Sequence, residues 1–196
     1  MQSMKGNPAL RPADAGELQL FYRWMEAQFH AGELKPLELI ERLAAEGRYA
    51  AYGLWDADEL IAYALFGIAE DGRTMLLDYF AVLPEHQDAG WGSRFLERLR
   101  AAGGGAILLE VEDPRYAPDE AEAETCRRRV RFYERNGCRT TPVELNLFGF
   151  DYRIMALARD VDIADADVRP ALEEIYRLFF PPEAYAKHVQ FRGERA

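Results

Sequence analysis

The feature of this sequence that most restricts its fold is a buried strand that runs through a glycine-bearing loop straight into an amphipathic helix. Residues 75–83 read MLLDYFAVL and are apolar on both faces apart from Asp78, which predicts a central strand that Pro84 ends. After a polar loop with Gly90 and Gly92, the apolar residues are spaced as on one face of a helix. This strand-loop-helix unit predicts a mixed α/β domain.

Apolar spacing also predicts the helices and strands in the rest of the chain. Before the central strand, apolar spacing predicts a strand over 7–12, two helices between 13 and 46, and a hairpin of 49–56 and 59–69. After it come helix 91–102, strand 106–111, helix 124–136, strands 138–147 and 151–157, and a last helix over 167–179 that Pro181 and Pro182 end. The order β-α-α-β-β-β-α-β-α-β-β-α predicts one α/β domain with a mixed, α+β-type sheet over residues 1–160, and a helical extension over 161–196 packed on it.

Charge and composition narrow the classes of partner. Lys and Arg number 24 against 34 Asp and Glu, a formal net charge of −10, which disfavours binding to nucleic acid or an anionic membrane and favours cationic or neutral partners. No segment approaches the roughly 18 consecutive apolar residues of a membrane-spanning helix. The first residues lack the basic and apolar pattern of a secretory signal, so we expect a cytoplasmic protein with free thiols at Cys126 and Cys138.

The histidines and cysteines give no metal-binding spacing. His30, His86 and His188 are far apart along the chain, and no C-x-x-C or H-x-x-x-H pattern occurs. No metal is therefore predicted.

The loop with Gly90 and Gly92 has the chemistry of an anion site. The first turn of a helix offers unpaired N–H groups and the positive end of its dipole, and glycines allow a phosphate to approach the backbone closely. The spacing lacks the third glycine of a dinucleotide fingerprint, and the chain contains no G-x-x-x-x-G-K-[ST] motif. A phosphate-bearing ligand is one interpretation, and glycines that only shape a tight turn are the other.

Two motifs carry a resemblance to a known family. Residues 87–92 read Q-x-x-G-x-G after the strand that ends in AVLP, and residues 126–138, CRRRVRFYERNGC, keep the Tyr133 and Gly137 of an N-x-x-A-x-x-x-Y-x-x-x-G-F pattern. Together they resemble the GNAT superfamily of acyl-CoA-dependent N-acyltransferases, over roughly Leu10 to Leu157. The resemblance implies a GNAT-like fold for residues 1–160 and acetyl-CoA as cofactor.

The resemblance also implies binding roles. The backbone N–H near Phe80 would bond to the acetyl carbonyl, and the backbone through Ala81 and Val82 would pair with the pantetheine amides as an added strand would. The pyrophosphate would be bound mainly by main-chain N–H groups. These belong to Gln87, Asp88, Ala89, Gly90, Trp91, Gly92 and Ser93.

Acyl transfer to an amine needs an acid for the leaving thiolate and a base for the ammonium. By resemblance, Tyr133 is the candidate acid, and a core position on the helix stripe is the alternative. Asp78 and Glu110 are isolated charges in apolar strands, so burial could raise the pKa of either carboxyl and make it a better base. Paired structural carboxylates, or a water chain instead of a dedicated base, are the alternatives.

Residues near the proposed site bear on the acceptor. The acidic segment 110–124 would attract a cationic amine or is simply solvated, and the arginines at 127, 128, 129 and 131 contact the coenzyme phosphate or, as we favour, pair with those acids. Aromatic residues that could wall the acceptor pocket, or belong to the core, are Tyr22, Trp24, Phe29, Phe148, Phe150 and Tyr152.

The sequence thus predicts an acetyl-CoA-dependent N-acetyltransferase that acts on a primary amine, of a small molecule or a protein, by direct transfer in a ternary complex. A non-catalytic acyl-CoA-binding sensor that regulates a partner through its last helix is the alternative. Transfer to oxygen or of a longer acyl chain stays open, since a fold does not fix its acceptor. The apolar face of the last helix packs on its own sheet or on a second subunit, which makes a homodimer an option.

Overall fold

The fold is an eight-stranded sheet with helices on both faces. The computed structural model describes residues 7–192, and the outer ends of the two predicted ranges, 1–6 and 193–196, lie outside the described residues. The strands are β1 (Ala9–Pro12), β2 (Tyr49–Asp56), β3 (Glu59–Ile68), β4 (Thr74–Val82), β5 (Ala106–Glu112), β6 (Cys138–Leu147), β7 (Phe150–Ala158) and β8 (Val189–Arg192). The helices are α1 (Ala15–Gln28), α2 (Leu37–Ala45), α3 (Trp91–Ala101), α4 (Glu120–Arg135), α5 (Asp165–Phe179) and α6 (Pro182–His188).

The strand order β1-β2-β3-β4-β5-β7-β6-β8 contains a single parallel pair among the described strands. That pair is β4 and β5, which α3 connects, and every other neighbouring pair is antiparallel. A parallel pair needs a crossover, and the amphipathic helix after the glycine loop supplies it. The predicted mixed sheet is confirmed.

A β-bulge interrupts β4 at its middle. Leu65 of β3 pairs with Tyr79 and Phe66 pairs with Leu77, so Asp78 is the extra residue on β4. A bulge locally bends a strand and redirects its side chains. Here it turns both Asp78 and Tyr79 toward the face covered by α1, α2 and α5.

Each face of the sheet has its own apolar core. On the first, which we call the α5 face, α1, α2 and α5 pack with residues such as Phe21, Ile40 and Ile175. On the second, the α3 face, α3 and α4 pack with residues such as Phe95 and Val130. The central strands are buried on both sides, which explains their nearly continuous apolar runs.

Most predicted elements lie within two residues of the observed ones, and α4 is an exception. It was predicted from Glu124 but begins at Glu120, because the carboxylate of Asp119 accepts the backbone N–H of Glu122 at 2.9 Å and caps the helix there. Acidic side chains in a first turn complement the helix dipole. The segment that looked like a solvated loop is therefore partly helical.

The chain after α5 contains elements that the sequence analysis did not predict. Pro182 follows the end of α5 but opens α6, since a proline fits the first turn of a helix. Strand β8 then pairs antiparallel with β6, from Glu144↔Arg192 to Leu147↔Val189. The predicted helical extension thus also contains a strand, which the sequence analysis missed because four residues give little periodicity to detect.

The apolar face of α5 packs on its own sheet. A Cβ built on Gly67 of β3 would lie 2.5 Å from Cζ of Phe179 and 2.7 Å from Cγ2 of Ile175, so only glycine lets the helix approach this closely. Of the two predicted positions for the apolar face of this helix, its own sheet and a second subunit, the structure shows the first. The homodimer stays a prediction.

Candidate active site

The parallel strands β4 and β5 diverge at their C-terminal ends. They pair only from Thr74↔Ala106 to Leu77↔Leu109, and the next residues are Asp78 and Glu110. From there β4 pairs with β3 and β5 with β7, so the facing edges of residues 78–82 and 110–112 have no strand partner within 7–192. Unpaired strand edges can accept an extended ligand as an added strand. We call this opening the wedge.

The loop from β4 to α3 presents a helix N-terminus without a side-chain cap. Asp88 and Gly90 both have left-handed backbones, with φ of 58° and 78°. Gly90 is the N-cap residue of α3, and no side chain within residues 7–192 caps that terminus. A Cβ built on Gly90 would meet no atom within 4 Å. The first-turn N–H groups are therefore accessible to an anion.

Gly92 and Trp91 have packing roles at the same terminus. A Cβ on Gly92 would lie 3.2 Å from Cζ of Phe132 and 3.8 Å from Cζ of Phe80. Trp91 is buried in the core of the α3 face, while Ser93 and Ala89 are partly buried beside it. The second glycine thus lets α3 pack against α4, which the sequence analysis did not anticipate.

The last carbonyl of β4 is held by two side-chain amides. Nε2 of Gln87 donates to the carbonyl of Val82 at 3.2 Å, and Nε2 of Gln28 donates to it at 3.3 Å. Gln28 is in turn fixed by the hydroxyl of Tyr63, which donates to its Oε1 at 2.7 Å. Val82 and the partly buried Ala81 therefore form a fixed edge of the wedge.

Asp78 is a paired carboxylate. Nζ of Lys35 lies 2.7 Å from its Oδ1, and the hydroxyl of Tyr49 donates to its Oδ2. The ammonium also lies 4.3 Å from the centre of the Phe179 ring. The side chains of Lys35 and Asp78 are 13% and 8% exposed, so little water competes with the pair.

Glu110 of β5 corresponds to Asp78 of β4, since each is the first residue after the segment in which the two strands pair. Its surroundings differ from those of Asp78. Its carboxylate is largely buried and accepts a hydrogen bond from the hydroxyl of Tyr176 of α5. No Lys, Arg or His within residues 7–192 forms an ion pair with it. Burial raises the pKa of the Glu110 carboxyl to about 7, since the charged form loses water and gains no cation contact.

Tyr133 lies on the other face of the sheet. It belongs to α4, packs against the core of the α3 face, and its ring meets that of Phe132 edge-on at 5.2 Å. Burial raises the pKa of its phenol to about 12, so the hydroxyl keeps its proton at neutral pH. No residue within 7–192 hydrogen-bonds to that hydroxyl, which leaves the proton available.

Comparison with known proteins fixes the family. The protein-family model described as Acetyltransferase (GNAT) family matches residues 18–137, more than half of the chain. The chain belongs to this acetyltransferase family. The predicted enzyme class, an acyltransferase that uses acetyl-CoA, is confirmed at the level of the family. No curated protein matches the sequence.

Solved structures share the fold of this GNAT acetyltransferase. A GNAT-family protein from Bacteroides thetaiotaomicron is 22% identical, with 83% of this chain and 91% of that chain covered and a TM-score of 0.63. The ribosomal-protein-S18-alanine N-acetyltransferase from Escherichia coli is 22% identical, with 81% and 96% covered and a TM-score of 0.52. Spermidine N-acetyltransferase from Vibrio cholerae, solved with CoA and spermine, is 16% identical, with 78% and 95% covered and a TM-score of 0.53. These likenesses confirm the predicted fold.

The arginines of α4 in this acetyltransferase pair mostly with its own carboxylates. Nη1 of Arg129 lies 2.6 Å from Oε2 of Glu112, and Nη2 of Arg131 lies 2.5 Å from Oε1 of Glu124. Arg127 pairs with Glu120 and Glu124, while Arg128 donates to the hydroxyl of Thr125. The favoured interpretation, pairing, agrees with these contacts. The acidic segment is correspondingly neutralised over much of its length.

One group of potential ligand atoms was missed by the sequence analysis of this GNAT chain. Single atoms of Glu112, Glu122 and Cys126 come within 4.8 Å of one another. Arg129 already neutralises Glu112, and burial raises the pKa of the Cys126 thiol. A cation would have to displace the guanidinium and a proton, so this group is a poor cation site.

The aromatic residues divide between core and surface in this GNAT chain. The hydroxyl of Tyr22 donates to the carbonyl of Lys35 at 3.0 Å, and Phe29 packs edge-on against Tyr79 at 5.3 Å. In the turn between β6 and β7, Phe148 stacks on His188 at 4.4 Å, and Phe150 is 62% exposed. None of the helices within 7–192 is long and apolar enough to cross a membrane.

Proposed function

We propose that this protein transfers the acetyl group of acetyl-CoA to a primary amine by direct attack in a ternary complex, with Glu110 as general base and Tyr133 as general acid. The observation that carries the proposal is the arrangement around the wedge. Glu110 begins the unpaired edge of β5 and has a pKa of about 7, Tyr133 packs in the same core as Phe80 and Val82 of β4, and β4 leads through its loop to the uncapped N-terminus of α3.

The donor site is supported by the strand edge and the helix terminus. The N–H groups around Gly90, Gly92 and Ser93 suit a pyrophosphate, and the edge of β4 from Phe80 to Val82 suits the pantetheine amides. Acetyl-CoA, once bound, supplies an activated acetyl thioester. Arg94, whose guanidinium lies over the Trp91 ring at 5.3 Å, adds a positive charge to the first turn of α3.

Proton transfer is divided between the two faces. An acceptor amine arrives largely as ammonium at neutral pH, and Glu110 takes its proton on the free oxygen of the carboxylate. The amine nitrogen then bonds to the acetyl carbon as the carbon–sulfur bond breaks. Tyr133 would donate its phenolic proton to the leaving thiolate, the second proton of the amine nitrogen would pass through water to the Tyr133 phenolate, and Glu110 would release its proton to water.

Asp78 is assigned a structural role. A base must bind a proton during the reaction, and Asp78 would have to give up its contacts with Lys35 and Tyr49 to do so. Glu110 carries no such ion pair. The two carboxylates that the sequence left equivalent are therefore separated by their partners.

The acceptor class is a primary amine of a small molecule or a protein. Burial raises the pKa of the Tyr152 phenol of β7, and the negative charge of Glu110, Glu112 and Glu33 adds to that effect, which Arg129 partly offsets. A cationic amine would be attracted there. The E. coli neighbour is named for an alanine of a ribosomal protein and the V. cholerae neighbour for spermidine, so both kinds of amine belong in a screen.

Calorimetric titration with acetyl-CoA and with CoA tests the donor site. Gly90→Asp places a carboxylate and a Cβ where pyrophosphate would approach, and we expect it to weaken binding at least about tenfold. Gly72→Asp is the matched control, because Gly72 also has a positive φ, of 65°, and open space around it, but lies in the turn before β4. Equal affinity of wild type and Gly90→Asp would contradict the site.

Thiol release in the presence of polyamines and of alanyl peptides tests the reaction. We expect release with at least one amine class and none with Glu110→Gln. Tight binding without release for every amine would instead favour the non-catalytic acyl-CoA sensor.

A further inference from the structure

The C-terminal extension reaches the wedge although it lies beyond the matched family segment. That segment ends at residue 137, and α5, α6 and β8 all follow it. Tyr176 of α5 is only 1% exposed, and its hydroxyl bonds to the carboxylate of Glu110, 66 positions earlier in the chain. The extension therefore contacts the proposed base directly.

Several aromatic rings fix Tyr176 in place. Its ring stacks on that of Phe180 at 6.2 Å and lies 6.4 Å from the rings of Phe179 and Phe191. Phe191 belongs to β8 and pairs with Leu145 of β6, so the last strand anchors the cluster to the sheet. A tyrosine held this firmly has little freedom to turn its hydroxyl away.

The groups that face Glu110 come from four elements. Asp78 and Tyr79 come from β4, Lys35 from the loop before α2, Tyr152 from β7, and Tyr176 from α5. Of these, Tyr176 is the residue within 7–192 that hydrogen-bonds to the carboxylate. Lys35 attracts the carboxylate from a distance while its ammonium is bonded to Asp78.

We propose that Tyr176 is a positioning residue for acyl transfer, which holds Oε1 of Glu110 and leaves Oε2 to accept the proton of the amine. The extension then completes the active site. This inference rests on the proposed function, in which Glu110 is the base. The hydrogen bond also stabilises the charged carboxylate, which opposes the effect of burial on its pKa.

The test compares two tyrosines that make the same bond to two different carboxylates. Tyr176→Phe removes the hydroxyl beside Glu110, and Tyr49→Phe removes the one beside Asp78. We expect Tyr176→Phe to move the acid limb of the kcat–pH profile upward by roughly one pH unit and to lower kcat several-fold at pH 7, with the KM for acetyl-CoA unchanged. Tyr49→Phe should leave that limb where it is in the wild type.

The other outcomes are distinguishable. An unmoved acid limb in folded Tyr176→Phe, with Glu110→Gln inactive, overturns the positioning role but leaves the proposed function intact. Wild-type kcat in Glu110→Gln overturns the base and the inference together. A shift in Tyr49→Phe alone would assign the base to Asp78. Circular dichroism and the affinity for acetyl-CoA establish that each variant is folded.

Discussion

The two arms of the wedge carry one carboxylate each, and the comparison between them separates structure from chemistry. Asp78 on β4 is bonded to the ammonium of Lys35 and the hydroxyl of Tyr49, whereas Glu110 on β5 is bonded to the hydroxyl of Tyr176. Both are isolated acids in apolar strands. A nearby cation favours the charged form of an acid, and burial without one favours the neutral form. Asp78 is held in an ion pair, whereas burial raises the pKa of Glu110 to about 7.

The paired carboxylate has a task of its own. Lys35 follows the turn after α1, and its backbone N–H donates to the hydroxyl of Tyr79 at 2.9 Å. That hydroxyl donates to the carbonyl of Glu33 at 2.7 Å. The bulge turns the side chains of both Asp78 and Tyr79 toward the segment that contains Lys35. Asp78 thus fixes the loop that borders the wedge, whereas Glu110 is bonded to Tyr176 of α5.

The strongest way to break the comparison is to neutralise each carboxylate in turn. Glu110→Gln should lower kcat by about a hundredfold to a thousandfold at saturating acetyl-CoA, because it removes the proposed base without changing the shape of the side chain much. Asp78→Asn should lower it far less in protein that is folded. Steady-state thiol release at pH 7.5 measures both.

Tyr133→Phe serves as the control on the other face. Because Tyr133 is the proposed acid and gives a proton instead of taking one, its loss should lower kcat but leave the acid limb near pH 7, where the carboxyl of Glu110 titrates, in place. An acid limb that disappears in Tyr133→Phe would contradict the division of roles.

The second prediction concerns stability. Here Asp78→Asn should be more destabilising than Glu110→Gln, the reverse of their order for kcat. Asp78→Asn leaves the ammonium of Lys35, 13% exposed, without its carboxylate, which should cost about 3 kcal/mol of the free energy of unfolding. Urea denaturation measures it. Adding Lys35→Met in the same chain should recover much of the loss, since the unpaired charge is then gone. No recovery in the double variant would show that the ion pair does not explain the loss.

The third prediction is a pH dependence that Glu110 alone should produce. Its pKa rises from the usual value of about 4.3 in the unfolded chain to about 7 in the fold. The folded state therefore binds a proton that the unfolded state has lost, and stability falls as pH increases from about 4.3 through 7. Glu110→Gln should remove this slope, so that the variant gains about 3 kcal/mol relative to wild type between pH 4.5 and pH 8.5.

Thermal or urea unfolding at several pH values measures that difference, with Asp78→Asn as the comparison. Asp78→Asn should not remove the slope. A wild-type stability that is flat over this range would contradict the raised pKa of Glu110.

The fold could be predicted from the sequence where local patterns are strong. Periodicity located the elements up to α5, and the Q-x-x-G-x-G loop with Tyr133 and Gly137 identified the family. The short helix α6, the last strand and the beginning of α4 were missed. A four-residue strand such as β8 has too few residues for a pattern, and its pairing with β6 is a contact between distant parts of the chain.

The sequence by itself determined the order of the elements, the family and the three ionisable residues worth testing, Asp78, Glu110 and Tyr133. Only the tertiary structure decided between the two carboxylates, because their partners Lys35, Tyr49 and Tyr176 lie 43, 29 and 66 positions away. Periodicity reports which residues are buried. It carries no information on which buried carboxylate meets a cation and which meets a hydroxyl, and those contacts distinguish the paired acid from the proposed base.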